Sequence, residues 1–151
     1  MLIYENKLTA QEFVYLTEAV GWGSPNLKQI EIALKNTIYS ISAETDGKII
    51  GMGRIIGDGA RMFYIQDVII HPDYQGMGIG TQIMEKLIAY IEKLPFSECN
   101  IMVGLMSAKG KECFYEKFGF RKRPNDFQGN GMMLSIGGGD SGMHFIPTAA
   151  L

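Results

Sequence analysis

The segment Val68-Ile69-Ile70-His71-Pro72-Asp73-Tyr74-Gln75-Gly76-Met77-Gly78-Ile79-Gly80-Thr81 constrains this chain most, because an apolar strand pattern runs into a glycine-rich turn that opens an amphipathic helix. Three glycines at alternate positions let backbone N–H groups approach an anion with no Cβ in the way. The first turn of the following helix adds unpaired donors and the positive end of its dipole. That arrangement is suited to holding a pyrophosphate. A dinucleotide fold would require Gly-x-Gly-x-x-Gly near the first strand of repeated βαβ units, with an acidic residue ending the next strand. Here the spacing is Gly76-x-Gly78-x-Gly80, and the next apolar strand, residues 101–105, ends without a carboxylate. A nucleotide P-loop would end in Gly-Lys-Ser/Thr, whereas this turn ends Gly80-Thr81 without the lysine.

With those two excluded, the chain resembles the GCN5-related N-acetyltransferases. Gln75-x-x-Gly78-x-Gly80 matches the family's acetyl-CoA signature, Arg/Gln-x-x-Gly-x-Gly/Ala, and Phe114-Tyr115-Glu116-Lys117-Phe118-Gly119-Phe120 matches its second signature, in the family's order and at its usual separation. The resemblance covers roughly residues 1–136, leaving 137–151 as a glycine-rich tail. It implies an α+β fold with a mixed, mostly antiparallel central sheet flanked by helices. It also implies acetyl-CoA as cofactor, held between two splayed parallel strands.

The chain has 151 residues, 46% hydrophobic and 20% charged. That is the size of one compact domain able to bury about two-thirds of its surface. A net charge of −2 and an isoelectric point near 5.7 argue against a nucleic-acid footprint, which would show clustered lysine and arginine. Arg121-Lys122-Arg123 is short and reads either as a solvated strand end or as a contact for anionic phosphates. No apolar run approaches the roughly 20 residues needed to span a bilayer, and the first residues lack a basic region followed by a signal core. A cytoplasmic protein is expected, with no membrane or nucleic-acid partner. Cys99 and Cys113 read as free thiols, and no cysteine or histidine spacing suggests a metal site. His71 and His144 are isolated.

Thr9-Ala10-Gln11-Glu12 is a capping-box pattern, and Phe13, Leu16 and Val20 follow at helical spacing until Gly21, which predicts a helix over 9–20. Ser24-Pro25 is expected to cap a second helix ending near Asn36. Extended runs at 38–45 and 48–56 flank Asp46-Gly47 and predict a hairpin. Residues 61–70 read as the strand entering the glycine turn, 78–93 as a helix with Ile79, Ile83, Leu87 and Ile91 on one stripe, and 101–105 as a strand parallel to 61–70. Residues 109–117 read as a helix stopped by Gly119. Phe120 and residues 132–136, with Met132 and Met133, are expected to start and end a final hairpin. The apolar run Met143-His144-Phe145-Ile146-Pro147 is expected to dock, with a neighbouring subunit of a homodimer as a candidate surface.

The resemblance assigns Val68, Ile69 and Ile70 as main-chain contacts to the pantetheine arm. It assigns Gln75, Gly76, Met77, Gly78, Ile79, Gly80 and Thr81 to the pyrophosphate turn. Where many relatives carry an asparagine that touches the pantetheine, this chain has Ala108, so Lys109 and Lys111 are candidates for reaching the cofactor phosphates, or are solvated. An amine with a lysine-like pKa of about 10.4 is neutral in about one molecule in 2,500 at pH 7, a deficit of roughly 4.6 kcal/mol, so a base or a desolvating pocket is required. Asp67 is the candidate base, directly or through a water, against a structural hydrogen-bonding role. Strict alternation places it on the opposite face from Tyr64, Gln66 and Val68 unless a bulge turns it. Gln66 stands where some relatives carry an acid and cannot serve as one.

Tyr115 matches the family tyrosine that protonates the departing thiolate, and the alternative is a side chain packed under Phe118 and Phe120. By the same resemblance, Trp22, Glu31, Tyr39, Tyr64 and Phe127 are candidate lining residues for a small primary amine. Trp22 either caps the core or covers a ligand. Acetyl transfer to a protein lysine or N-terminus, and a non-catalytic acyl-CoA-binding module, are the alternative functions.

Overall fold

The computed structural model describes residues 1–96, 98–134 and 136. Its elements in chain order are β1 (Leu2–Glu5), α1 (Ala10–Ala19), α2 (Leu27–Lys35), β2 (Tyr39–Thr45), β3 (Lys48–Gly57), β4 (Met62–Ile70), a 3-10 turn (Pro72–Tyr74), α3 (Ile79–Glu92), β5 (Met102–Gly104) and α4 (Glu112–Glu116). The five strands form one sheet in the order β1-β2-β3-β4-β5. All neighbours are antiparallel except β4 and β5, which run parallel. This is the expected α+β architecture.

Local chemistry accounts for most element boundaries. In α1 the Thr9 hydroxyl accepts from the Glu12 N–H while the Glu12 carboxylate accepts from the Thr9 N–H at 2.8 Å, the reciprocal pattern that satisfies two orphan donors. The cap of α2 corrects the reading at Ser24-Pro25. Asn26 takes that position, its Oδ1 accepting from the Gln29 N–H at 3.2 Å. Asparagine caps as well as serine does, and the proline favours an extended residue before it. Asp46 and Gly47 both carry positive φ, the two-residue turn that suits the twist of a hairpin.

Two layers enclose the sheet. On one face α3 packs Ile79, Ile83, Met84, Leu87 and Ile91 against Tyr39, Ile41, Phe63, Ile65, Val68 and Ile70, and Tyr115 of α4 joins this core. On the other face α1 and α2 cover Met52 and Ile69 with Phe13, Leu16, Val20 and Ile30. Beneath α3, β3 carries Gly51 and Gly53. A Cβ on Gly53 would lie 2.8 Å from Ile83 Cγ2 and 3.0 Å from Leu87 Cδ1, so these positions set how closely the helix approaches the sheet.

Other parts of the sequence reading also differ from the structure, and the helix expected at 109–117 is confined to Glu112–Glu116. β1 has no counterpart in it: four half-buried or exposed residues show no usable alternation, and the strand exists because β2 offers an edge to pair with. The final hairpin between Phe120 and residues 132–136 does not form among the described residues. Only an isolated bridge joins Asn125 to Gln128. Phe127, Met132 and Leu134 are 95%, 90% and 81% exposed, so no apolar face is buried to hold strands there. Pro124, Gly129 and Gly131 also interrupt any ladder. The expectations for the tail, including His144 and the docking of 143–147, lie outside the described residues.

Candidate functional site

The glycine turn is built by main-chain geometry. After β4 the His71 N–H donates to the Ile50 carbonyl at 2.8 Å, and His71 Nδ1 accepts from the Asp73 N–H at 3.3 Å to start the 3-10 turn. Gln75 Nε2 then donates to the Ile70 carbonyl at 3.0 Å, tying the strand end to the start of the glycine run. Gly76 and Gly78 have φ of +77° and +78°, the left-handed region that other residues rarely adopt. A Cβ on either would meet nothing within 4 Å. Conformation, not crowding, therefore requires glycine, and the space above the turn is open. Gly78 caps α3 without a side-chain acceptor, and the first helical bond runs from the Gln82 N–H to the Gly78 carbonyl at 3.2 Å. The N–H groups of Ile79, Gly80 and Thr81 have no helical acceptor, and the dipole of this 14-residue helix adds to them. Gly80 is buried under this turn, and the Met77 side chain points outward, 64% exposed.

The strand leading into the turn is half unpaired. β5 meets β4 only at Met62↔Met102, Phe63↔Val103 and Tyr64↔Gly104. From Ile65 to Ile70 no described residue pairs with the outer edge of β4, so Val68, Ile69 and Ile70 border a free strand edge while their side chains are core. The register against β3 jumps from Met52↔Ile69 to Arg54↔Gln66, leaving an extra residue on β4. That residue is beside Asp67, whose φ is +53°. The bulge reverses the alternation. Phe63 and Ile65 face α3 before it, and Val68 and Ile70 do so after it, with Ile69 turned to α1 and α2. The carboxylate of Asp67 accepts from Arg54 Nε at 2.5 Å, and Arg54 Nη1 donates to Thr37 Oγ1 at 3.2 Å. The guanidinium lies 5.7 Å from the Phe13 ring centroid. Nothing in the sequence reading singled out Arg54. The signal was a lone cation in the apolar run Gly51-Met52-Gly53-Arg54-Ile55-Ile56.

Tyr115 sits in α4 with its ring edge-on to Phe114 and Phe120, and it is 7% exposed. Burial pushes its phenol up to about 12. Tyr115 and Tyr64 both line a cleft of about 1400 Å³ along β5, with Gly104, Leu105, Glu112 and Phe120. Burial also raises the Tyr64 phenol above its ordinary value.

The other acceptor-pocket candidates do not converge on that cleft. Trp22 packs on the α1–α2 core, and its Nε1 is buried with no hydrogen-bond partner among the described residues. Glu31 is exposed on α2. Tyr39 faces α3, stacked on Tyr90 at 4.2 Å, with its phenol raised to about 12 by burial and by its hydrogen bond to Glu5. Phe127 projects from the turn at 125–128. Lys109 is exposed and Lys111 caps α4. The segment carrying these lysines follows β5, which runs parallel to β4 and ends beside Tyr64. Among the described residues no His, Cys, Asp and Glu cluster could hold a metal ion, and no helix is long and apolar enough to cross a membrane.

A glycine-built helix start thus follows a half-unpaired strand with a parallel neighbour, the arrangement expected of the family that the chain resembles. The profile of the acetyltransferase (GNAT) domain matches residues 36–122. An uncharacterized N-acetyltransferase, ycf52, of Pyropia yezoensis is 34% identical over 122 residues, covering 78% of this chain and 68% of that protein. A histone acetyltransferase, TAP1, of Glycine max is 30% identical over 125 residues, 76% of this chain and 52% of its own length. The structure of SA2161 from Staphylococcus aureus superposes with a TM-score of 0.76 at 27% identity, covering 89% of this chain and all of that one. The chain belongs to the GCN5-related N-acetyltransferase family.

Proposed function

We infer that the protein transfers the acetyl group of acetyl-CoA to a primary amine of a small molecule, by direct attack in a ternary complex. The observation that carries this reading is the free edge of β4 running straight into the glycine-built start of α3. The main-chain groups of residues 68–70 that face the unpaired edge, other than the Ile70 carbonyl held by Gln75, match the amides of a pantetheine arm in the manner of an added strand. The turn from Gln75 to Thr81 fits a diphosphate, because the first N–H groups of α3 lack helical acceptors and a Cβ at Gly76 or Gly78 would meet nothing within 4 Å. Lys109 and Lys111, in the segment that follows β5, are the candidates in this reading for meeting further phosphate charge. When bound, acetyl-CoA supplies the thioester carbonyl and a thiol leaving group.

The residues then divide the work. Main-chain N–H groups of the β4 edge near Ile70 orient the carbonyl and stabilise negative charge on its oxygen. Tyr115 holds the proton needed by the departing sulfur. With the phenol at about 12 and a free thiol near 8.5, the transfer is uphill by about 3.5 units, roughly 4.8 kcal/mol. The same burial disfavours a thiolate there, which raises the thiol and narrows the gap. Asp67, the candidate base, already has its carboxylate on Arg54. If the acceptor loses its proton to solvent, log(kcat/KM) rises with unit slope up to the pKa of the amine.

A protein acceptor is the second reading, supported by the open cleft along β5 and by the name of the Glycine max relative. Cys99 and Cys113 are free exposed thiols, which suits a reducing compartment such as the cytoplasm. The test is thiol release from acetyl-CoA with matched panels of small amines and lysine peptides. Release with small amines supports the reading, and preference for peptides moves the acceptor to protein. Binding of CoA by calorimetry without turnover leaves an acyl-CoA-binding module, and no binding at all defeats the assignment.

A further inference from the structure

Among the described residues, Arg54–Asp67 is the sole ion pair in which both side chains are under one-fifth exposed, at 13% and 17%. It sits on the β4 bulge. Asp67 holds φ at +53°, a conformation that glycine adopts freely and that aspartate tolerates better than most residues. In return, its carboxylate is delivered to the residue paired with Gln66 across the register jump. Arg54 is itself fixed. Its Nη1 donates to Thr37, whose hydroxyl donates to the Ala33 carbonyl at 3.0 Å in the last turn of α2, and the guanidinium lies over Phe13 of α1. One side-chain cluster thus joins α1, α2, β3 and the bulge that directs the free edge of β4.

Resting on the acetyl-transfer reading above, we propose that the Arg54–Asp67 pair is a positioning device. It holds the bulge, and through it the aim of the main-chain N–H groups at Val68–Ile70 toward the acyl carbonyl. Asp67 acts through the strand and does not take the proton of the amine. Removing either partner would leave the other's charge mostly buried and unpaired.

The test compares Asp67→Asn, Arg54→Gln and the double variant. Hydrogen exchange of the amides of residues 65–70, measured without ligand, is expected to speed up about tenfold or more in each single variant and no further in the double, the non-additivity of two halves of one clamp. With acetyl-CoA and the best amine, kcat is expected to fall about tenfold to a hundredfold in each single variant. KM for acetyl-CoA should change less than about threefold, and the acid limb of the pH–rate profile should stay in place. Should Asp67→Asn fail to fold, Asp67→Gly, which adopts positive φ without strain, carries the same measurements. Unchanged exchange in both single variants overturns the proposal. So does an acid limb that disappears in Asp67→Asn while its exchange stays normal, since that marks a base. If the parent protein turns over no acceptor, the acetyl-transfer reading fails and the exchange experiment alone decides the clamp.

Discussion

The two ends of the proposed transfer site are made of different material. At the proposed diphosphate end, Gly76, Gly78 and the first turn of α3 offer main-chain groups, and side chains contribute mainly by their absence. At the acceptor end the candidates are side chains on separate elements. Trp22 lies on the α1–α2 face, Tyr39 on the α3 face, Glu31 on an exposed helix side and Phe127 on a distal turn. A backbone-built site follows from residues that permit a conformation, so spacing reveals it. A side-chain-built site depends on convergence in space, which one bulge can redirect.

The sharpest attempt to break this contrast is Gly76→Val with Gly78→Val. Each valine in the left-handed region is opposed by about 1–2 kcal/mol and adds a Cβ where the anion approaches. CoA binding is expected to weaken about a thousandfold by calorimetry, with far-UV circular dichroism unchanged because the space around both positions is open. Affinity close to the parent's would show that side chains hold the diphosphate after all.

Tyr115→Phe should lower kcat about a hundredfold while leaving CoA affinity within about twofold. It should also change the alkaline stability. The folded phenol titrates at about 12 and the unfolded one near 10. Both are protonated below pH 10, so the stability is fully present there. Between pH 10 and 12 only the unfolded chain gives up the proton, and the folded state loses on the order of 2–3 kcal/mol. Urea titrations at pH 9 and pH 11 should show Tyr115→Phe escaping that share of the loss.

Gly53→Ala tests whether the closeness of α3 to the sheet matters to the backbone-built end. The added methyl meets Ile83 and Leu87 at 2.8 and 3.0 Å, and the expected destabilisation is about 1–3 kcal/mol in thermal unfolding. A severalfold weaker CoA affinity should accompany it. The smallest effect is expected for Trp22→Phe, which removes a buried donor without a partner. Lost ring contacts and the removed donor offset one another, so stability should shift by less than about 1 kcal/mol. A severalfold rise in acceptor KM would place Trp22 over the substrate, and no change would leave it a core cap.

The same division governs what was legible in the sequence. The capping box at Thr9, the turn at Asp46-Gly47, the stripe of Ile79, Ile83, Leu87 and Ile91, and the parallel partner of β4 all express local rules and emerge at their expected places. β1 did not, because its pairing comes from an edge formed 40 residues later. The hairpin after Phe120 was expected, but apolar residues there find nothing to bury against among the described residues. The bulge at Asp67 was legible only as an option. Its partner Arg54 lies 13 residues earlier and meets it only through the β3–β4 register. Face assignments for Tyr39 and Trp22 needed the sheet itself.

The brevity of β5 has a consequence for how the protein lives. With β4 and β5 held together over just three residue pairs, a molecule lying along the remaining edge would complete the architecture as well as enter the reaction. Occupancy and durability then become one variable. At a cofactor concentration a thousand times its dissociation constant, the loaded protein gains about 4.1 kcal/mol over the empty one. Metabolic supply would therefore set how long each copy escapes degradation, as well as how fast it works.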